Sequence, residues 1–380
     1  MTYEYQQTHR YFAQIAGGME TLGAAEISEL GAAEVSEVYR GLYFNADAVA
    51  RYRINYCSRL LSRVIAPLAN FKCQHTDQLY NVAKKINWAD FFSLNHTFAI
   101  YANVSHSKIR HSKFAALRVK DAIADFFTEK YGKRPNVDTG SPDVWINLHI
   151  ERDRAVIGLD TSGGPLHKRG YRQTALTAPM QETLAAAIIR LSEWQGERPL
   201  YDPMCGAGTL LSEALMHYCR IPAGFLRQRF GFENLPDFDE KLWRDVKKNA
   251  DAHIRELPEK LIGGSDLSPK AIAAAQKNLG NLPGGEAIVL SRKDFRDIPS
   301  LENSTIVCNP PYGIRMGEKA QLGAFYKQLG DFLKQRCRGA IAFIYFGERE
   351  FLKYIGLRPA WKKPLVNGAL DGRLAKFELY

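Results

Sequence analysis

Cysteine is scarce in this sequence of 380 residues, and its six cysteines stand apart from one another. None lies in a CxxC pair or at a spacing from histidine that is typical of a metal site, so we predict reduced thiols and no metal ion. The sequence also lacks an apolar run close to the roughly 20 residues that a membrane-spanning helix needs. Its first residues lack the basic start and apolar core of a secretory signal, and we therefore expect a cytoplasmic protein.

Acidic residues are few in one part of the chain. Residues 51–134 hold 15 basic and 5 acidic residues, whereas the first 50 residues hold 2 basic and 7 acidic ones. The whole chain has a net charge of +10, with 46% hydrophobic and 24% charged residues, which is an ordinary globular composition. A concentrated positive charge favours a polyanionic partner, and nucleic acid before a membrane, because no basic amphipathic anchor is evident. A solvated basic surface without a partner is the alternative.

The pattern of apolar residues predicts three structured regions and a linker. Residues 1–70 alternate as strand, helix, two strands, helix and strand, which is the βαββαβ order of a ferredoxin-like subdomain. Residues 71–160 combine two helical stretches with alternating, β-branched strands and are predicted as a second α+β domain. Residues 161–179 begin with small residues and are predicted as a linker, and residues 180–380 alternate helices and strands as in an open, mostly parallel α/β sheet.

Seven basic side chains are candidates for contact with a polyanion. Four of them precede or begin the helix predicted from residue 112, and three lie in the linker around Tyr171. Lysines on an ordinary solvated helix are the alternative interpretation for the first group. The candidates are Lys108, Arg110, Lys113, Lys120, Lys168, Arg169 and Arg172.

The stretch PLYDPMCGAGTLLSEAL, residues 199–215, predicts a strand, a glycine turn and a helix. Gly206 and Gly208 allow the backbone to turn sharply and to approach a ligand, and the helix that follows offers free N–H groups. A dinucleotide fingerprint, GxGxxG, is the rival interpretation, but the third glycine is missing.

Three further predicted strands end in polar side chains. Asp266 follows the second strand and can accept hydrogen bonds from a ribose diol, and Asp294 with Phe295 follows the third and suits an adenine. The fourth strand lies in STIVCNPPYGI and delivers Asn309 together with two prolines and Tyr312. Each acid alone is more often a helix N-cap, but four such tips in order predict one crevice at the carboxyl ends of the strands.

The motifs DPMCGAGT, GSDLSP, KDF and NPPYG, in this order, resemble those of the S-adenosylmethionine-dependent methyltransferases that act on exocyclic amino groups. The stretch from PNVDTGSPDVWINLHI to LHKRGYR is similar to a THUMP domain and its junction with a catalytic domain. Together they resemble the bacterial 23S rRNA guanine-N2 methyltransferases, in the N-terminal half of the bifunctional large-subunit enzyme. The resemblance implies a Rossmann-like methyltransferase domain, S-adenosylmethionine as cofactor, and large-subunit ribosomal RNA or its precursor particle as partner.

The same resemblance assigns roles to the residues of the four motifs. It implies that the cofactor is bound by Asp202, Cys205, Gly206, Gly208, Asp266, Leu267, Asp294, Phe295 and Asn309. It implies that the target amine and base are held by Asn309, Pro310, Pro311 and Tyr312. The seven basic side chains named above become candidates for RNA binding.

Other functions stay open at this point. The same chemistry would suit N2-guanine methylation of tRNA or amino methylation of another nucleic acid, such as DNA adenine. A non-catalytic RNA-binding protein is an alternative of a different class, although it would not need to keep the acids at the strand tips. A dehydrogenase is the least supported. The long connection of residues 220–260 either shapes the RNA side or covers the sheet.

Overall fold

The computed structural model describes residues 2–174, 180–311, 319–367 and 371–380. The chain forms two compact units, and each unit is built from three separate stretches. The first unit contains Met1–Ile15, Gly23–Leu166 and Arg227–Lys248. The second unit contains Ala16–Leu22, His167–Leu226 and Asn249–Tyr380.

The front half of the chain confirms the predicted α+β architecture. Its helices are α1 (Glu4–Thr8), α2 (Glu20–Glu29), α3 (Ala48–Cys57), α4 (Thr76–Lys85) and α5 (Ser112–Tyr131). Its strands are β1 (Arg10–Ile15), β2 (Ala33–Val38), β3 (Gly41–Asn45), β4 (Leu61–Lys72), β5 (Thr97–Ser105), β6 (Asn136–Val137), β7 (Val144–Glu151) and β8 (Arg154–Asp160). The order from β1 to β4, with α2 and α3, is the predicted βαββαβ order, whereas the short helix α1 was not predicted.

These eight strands form one continuous sheet, in the order β2-β3-β1-β4-β8-β7-β5-β6. The strand β4 joins its two parts, because it pairs antiparallel with both β1 and β8. The predicted boundary after residue 70 therefore lies inside a shared strand. A strand of 12 residues is long enough to serve one part with its first half and the other with its second.

The segment 227–248 differs from its prediction as part of the last domain. It includes the start of helix α8 (Glu240–Asp251), which lies in the long connection 220–260. Its aromatic side chains pack on α3. The ring of Phe232 lies 4.7 Å from that of Tyr52, and the ring of Trp243 lies 5.3 Å from that of Tyr56. Phe232 is fully buried. Aromatic burial thus places this segment in the first unit, where it contributes to the core.

The second unit has the predicted open α/β sheet. Its other helices are α6 (Glu182–Ser192), α7 (Thr209–Tyr218), α9 (Pro269–Leu279) and α10 (Lys319–Arg336). Its strands are β9 (Leu200–Asp202), β10 (Ile262–Asp266), β11 (Val289–Arg292), β12 (Thr305–Cys308), β13 (Ile341–Phe346), β14 (Trp361–Pro364) and β15 (Arg373–Glu378). The order is β11-β10-β9-β12-β13-β15-β14, in which the first five strands are parallel and β15 is antiparallel to both of its neighbours.

The chain order of the strands reverses at β9. From β9 the chain proceeds outward through β10 and β11, then returns to the other side of β9 with β12 and β13. In open parallel sheets, ligands bind outside the carboxyl ends of the strands at such a switch point. Within the described ranges, no helix is both long enough and apolar enough to cross a bilayer.

Candidate active site at the strand tips of the second unit

A cavity of about 490 Å³ lies at the carboxyl ends of β9, β10, β11 and β12. All four predicted strand-tip motifs contribute to its wall, so the structure brings together residues from Pro203 to Pro311, which are 108 positions apart in sequence. The lining residues are Pro203, Met204, Gly206, Asp266, Leu267, Asp294, Phe295, Arg296, Asn309, Pro311 and Phe325. The predicted residues Asp202, Cys205, Gly208 and Pro310 lie beside this wall in the sequence and do not line it.

Asp202, the last residue of β9, is a buried carboxyl group. Its Oδ1 accepts a hydrogen bond of 3.0 Å from the backbone N–H of Met204. Burial raises the pKa of Asp202 to about 8, with a smaller contribution from the negative charge of Asp266, and the Met204 hydrogen bond opposes this rise. Cys205, which is also buried, donates its backbone N–H to the carbonyl of Ser265 on β10. This bond joins the turn after β9 to the neighbouring strand.

The two glycines of the turn have different roles. Gly208, at φ +80°, is the N-cap of α7, and a Cβ there would lie 3.2 Å from the Cβ of Ala275. Gly206 also has a positive φ, +54°, but a Cβ at this position would meet no atom within 4 Å. Gly208 therefore permits the close approach of two helices, whereas Gly206 leaves open space at the wall of the cavity.

Asp266 connects the first two strand tips. Its Oδ2 accepts a hydrogen bond of 2.9 Å from the N–H of Gly206, and its Oδ1 accepts one of 2.9 Å from the N–H of Ser268. Ser268 is the N-cap of α9, which excludes the N-cap interpretation for Asp266. Each carboxylate oxygen keeps a second lone pair that can accept from a ligand. Beside it, the side chain of Leu267 is 61% exposed and provides an apolar rim.

Asp294 is paired in a way that the sequence did not indicate. Both of its carboxylate oxygens contact the guanidinium of Arg296, at 2.9 Å from Nε and 2.6 Å from Nη2. These hydrogen bonds hold the pKa of Asp294 below its usual range. An adenine amine would have to share this carboxylate with Arg296. The role of Asp294 in adenine binding stays a prediction, with Arg296 as a further member of the site.

Phe295 is part of the core as well as of the cavity. It is buried, and its ring packs edge-on against Phe325 at 5.4 Å and against Phe332 at 5.7 Å. Phe325, which also lines the cavity, comes from α10 and was not predicted. Its only signal in the sequence is an aromatic residue on an amphipathic helix, which does not distinguish a cavity wall from a core position.

Asn309 carries an unsatisfied buried acceptor. Its Oδ1 is buried and has no hydrogen-bond partner among the described residues. Pro311, two residues later, is held by the buried Tyr326, whose hydroxyl donates a hydrogen bond of 3.2 Å to the Pro311 carbonyl. A buried polar atom without a partner is costly unless a ligand provides the missing donor. Tyr312, predicted to stack on the target base, lies outside the described residues.

The glycine turn after β9 is also attached to the linker. The buried side chain of Asn278 on α9 accepts hydrogen bonds of 3.0 Å from the N–H groups of Gln173 and Thr174. Its Nδ2 donates to the carbonyls of Thr174 and Ala207, both at 3.0 Å. Asn278 thereby fixes the linker beside the GAG turn. No pattern in the sequence distinguishes it from an ordinary polar residue at the end of a helix.

The predicted RNA-binding residues divide into two groups. Lys108, Arg110 and Lys113 are exposed at the start of α5, and Lys120 forms an ion pair of 2.8 Å with Asp121. These positions are compatible with RNA contact, which stays a prediction. Lys168 in the linker is exposed as well.

Direct RNA contact by Arg169 is contradicted by its burial, and Arg172, whose side chain is 14% exposed, is held by partners inside the same unit. Arg169 is 2% exposed, and its Nε lies 3.3 Å from Oε1 of the fully buried Glu213 on α7. Arg172 forms a hydrogen bond of 2.9 Å with Glu182 and one of 3.1 Å with Thr209, the first residue of α7. The two arginines were misread because their acidic partners are distant in sequence. Their charges are neutralised inside the unit, where they fix the linker to α6 and α7.

No metal site accompanies the cavity in the part of the chain that the structure describes. Within residues 2–174, 180–311, 319–367 and 371–380, no three His, Cys, Asp or Glu side chains are grouped so as to hold a metal ion. Among the described residues the six cysteines form no disulfide, and five of them are buried.

The elevated pKa of Asp202 leads to a prediction about how the stability of the protein depends on pH. Because the folded protein holds this proton to about pH 8, whereas an unfolded aspartate loses it near pH 4, the folded state loses stability as pH rises between these values. An elevation of the pKa by one unit alone corresponds to about 1.4 kcal/mol. We therefore expect the difference in free energy of unfolding between Asp202→Asn and wild type to be at least about 1.4 kcal/mol more in favour of the variant at pH 9 than at pH 5. Urea unfolding at both pH values measures it, and a constant difference between the two proteins would contradict it.

The architecture and the cavity together define the class of protein. A mostly parallel sheet with a ligand cavity at its switch point, acids at successive strand tips and an Asn-Pro-Pro loop is a methyltransferase arrangement, and here it follows ferredoxin-like and THUMP parts. Family models match in the same order: an RlmL ferredoxin-like domain over residues 10–65, a THUMP domain over 73–160, and an RMKL-like methyltransferase domain over 169–376. The chain belongs to this family of S-adenosylmethionine-dependent methyltransferases.

Individual relatives agree with this assignment. A putative RNA methyltransferase from Synechocystis is 41% identical, over 98% of this chain and 97% of its own length. The ribosomal RNA large subunit methyltransferase K/L of Photobacterium profundum is 38% identical over 96% of this chain, which spans 52% of that enzyme. The chain thus covers about half the length of such K/L enzymes. A crystal structure of a putative methyltransferase complexed with SAH is similar with a TM-score of 0.86 and 26% identity, over 98% of both chains.

Proposed function

We propose that this methyltransferase modifies the exocyclic N2 amine of a guanine in large-subunit ribosomal RNA. The observation that carries the proposal is the buried Oδ1 of Asn309 in the cavity wall, which has no hydrogen-bond partner among the described residues. An exocyclic amine is a donor of two N–H bonds, and it supplies what this acceptor lacks. If the protein were a non-catalytic RNA-binding protein, the Asn309 Oδ1 would have no donor to accept from.

The residues of the cavity suit S-adenosylmethionine. The open space at Gly206 admits a ligand against the backbone, and the carboxylate of Asp266 retains free lone pairs for a ribose diol. Leu267 and Phe295 offer apolar surface for a purine, with Asp294 and Arg296 at its polar edge. When bound, the cofactor supplies a methyl group on a positively charged sulfonium. The buried Asp202 carries a carboxyl group near the methionine end of the predicted site.

Asn309 orients the amine. The lone pair of a guanine amine is delocalised into the ring, so the amine is a weak nucleophile unless it is held in a fixed geometry. The Asn309 Oδ1 and the backbone carbonyl of Pro310 accept its two N–H bonds and leave the lone pair directed away from the ring plane. Positioning and electrostatic stabilisation of this kind replace a strong base. Tyr326 supports the geometry, because its hydroxyl holds the carbonyl of Pro311.

The choice of RNA as substrate is supported by the first unit. The chain contains a THUMP domain, and the relatives that cover it are named as RNA or ribosomal RNA methyltransferases. Exposed lysine and arginine side chains lie at the start of α5, within the stretch that carries 15 basic and 5 acidic residues. Phosphate groups are the expected partners of such a surface.

Methyl transfer to purified RNAs tests the substrate. The full chain is incubated with radiolabelled S-adenosylmethionine and, separately, with large-subunit rRNA, small-subunit rRNA and tRNA from cells that lack the enzyme. We expect label in large-subunit rRNA alone, recovered as N2-methylguanosine after digestion. Label in tRNA alone, or in a nucleoside other than N2-methylguanosine, would contradict the proposal.

Lys113→Ala tests the basic surface. The exposed ammonium of Lys113 is expected to contact phosphate, and loss of one phosphate contact lowers the slope of log K against log salt by about one. Lys130→Ala is the matched control, since it removes the same charge from the other end of the same helix. Binding of large-subunit rRNA at several salt concentrations measures both slopes. Equal slopes for the two variants would exclude Lys113 from the RNA surface.

A further inference from the structure

The sheet of the first unit holds a second cavity on the face opposite to its buried core residues. Its volume is about 230 Å³, whereas roughly 10–15 Å³ suffices for one water molecule. Strands from both parts of the sheet contribute, because Phe12 and Tyr43 lie on β1 and β3, and Asn147 and His149 lie on β7. The register places these side chains on one face, since Phe12 is paired with Tyr43, and His149 with Val156 of β8.

One wall of this cavity is aromatic. The rings of Phe12 and Tyr43 lie 5.0 Å apart at an angle of 53°, and both side chains are only partly buried. The guanidinium of Arg10 lies over the Tyr43 ring, 4.9 Å from its centre. Such a wall can take a flat ring by stacking, and it does so with little regard to the identity of that ring.

The opposite wall contains an amide without a partner. Asn147 is 3% exposed, and its Nδ2 makes no hydrogen bond of normal geometry with any described residue, although the buried hydroxyl of Tyr101 on the paired strand β5 is close enough to interact with it. A buried amide N–H without a hydrogen bond of normal geometry is costly, and a ligand with a polar edge removes that cost. Asn70, also on the wall, presents a second amide to the same cavity.

The charges around the cavity are balanced. Arg10 and Glu4 both line the cavity. Next to the lining residues, Arg154 contacts Asn70, and Glu151 lies 3.8 Å from His149. Two cations and two anions at the rim favour neither an isolated phosphate nor a cation. The cavity therefore suits a ligand that is a neutral, flat ring with hydrogen-bonding groups.

We propose that this cavity binds one unpaired base of the RNA substrate, stacked on the Tyr43–Phe12 wall and read at its polar edge by Asn147. The inference rests on the proposed function for the identity of the polymer. RNA is recognised mainly through unpaired bases, whose edges and faces are free for aromatic and amide side chains. The site would thereby add base recognition to the non-specific phosphate contacts of α5.

Two substitutions in the full chain test this site. Asn147→Leu removes the amide and keeps the volume, and Tyr43→Leu removes the stacking ring. Asn136→Leu, at an exposed position of β6 in the same sheet, is the control. Binding of a fluorescein-labelled, eight-nucleotide single-stranded RNA is measured by anisotropy at several salt concentrations. We expect each test variant to bind about tenfold more weakly, with an unchanged salt slope, because a stacked base releases no counterions.

A melting curve separates this role from a structural one. Because the Nδ2 of Asn147 makes no hydrogen bond of normal geometry with a described residue, Asn147→Leu should melt no lower than wild type. Wild-type affinity for the oligonucleotide in both test variants would overturn the proposal. It would also be overturned if free adenosine or guanosine occupied the cavity without competing with the RNA, since the cavity would then serve a small heteroaromatic ligand. The proposed function fails separately, if wild type transfers no methyl group to ribosomal RNA.

Discussion

Asn309→Ala is expected to lower the rate of methyl transfer by about 10²–10³-fold, or roughly 2.7–4 kcal/mol, with little change in cofactor affinity. The substitution removes the buried Oδ1 that has no partner among the described residues and that we assign to the target amine. Without it, the amine loses both its orientation and an acceptor close to the charge that develops on nitrogen. Single-turnover methyl transfer with saturating RNA measures the chemical step directly.

The control for this experiment is Asn249→Ala, which removes an exposed asparagine from the same unit. A melting curve shows whether the Asn309 variant remains folded. If Asn309 only stabilised its loop, the Ala variant would melt at a lower temperature while each folded molecule kept its rate. Asn309→Asp retains an acceptor and should recover part of the rate. A folded Asn309→Ala enzyme with a near-normal rate would exclude the proposed role.

Asp266→Ala is expected to weaken cofactor binding by about 10–150-fold, or roughly 1.5–3 kcal/mol, the usual contribution of hydrogen bonds to a charged group. The carboxylate has two functions that the substitution removes together. It accepts from the N–H groups of Gly206 and Ser268, which fixes two strand tips, and its free lone pairs are assigned to the ribose of the cofactor. Calorimetric titration with S-adenosylmethionine measures the loss.

Asp297→Ala is the matched control, because it removes an exposed carboxylate from the next strand tip and should bind the cofactor normally. Asp266→Asn distinguishes the two functions of the carboxylate. It keeps one oxygen that can accept from a ribose hydroxyl. The amide nitrogen replaces the other oxygen, and its N–H donors then face the N–H of Gly206 or of Ser268. Wild-type cofactor affinity in Asp266→Ala would remove this residue from the site.

The architecture was largely predictable because each part of it has a local signal. Strand tips followed by Asp266, Asp294 and Asn309 are visible in the sequence, since an apolar run ends in a polar residue and a turn. Parallel strands with helical connections then place their carboxyl ends at one edge. The structure brings these three residues to one cavity, as expected.

Two side chains have partners that the sequence did not indicate, one distant in the chain and the other only two residues away. Arg169 is followed by a short basic run and was predicted as exposed, but Glu213, 44 residues later, neutralises it in the interior. The carboxylate of Asp294 was predicted to be free for adenine, whereas Arg296 already contacts both of its oxygens. Long-range burial and side-chain rotamers decide such pairings, and neither leaves a pattern in a single sequence.

The segment 227–248 shows the same limit at the level of domains. Its aromatic residues were visible, but their partners Tyr52 and Tyr56 lie on a helix 180 to 187 residues earlier. A continuous stretch was therefore assigned to the last domain, although packing places part of it in the first unit. Sequence order predicts domain membership only when a domain is built from one continuous stretch.

Mass spectrometry of ribosomal RNA nucleosides tests the central claim most directly. Large-subunit rRNA is isolated from a strain that lacks this enzyme, and from the same strain carrying either the wild-type chain or Asn309→Ala. We expect one N2-methylguanosine to be absent without the enzyme, restored by wild type and not restored by the variant. An unchanged content of N2-methylguanosine in large-subunit rRNA, together with loss of a methylated nucleoside from another RNA, would contradict the account.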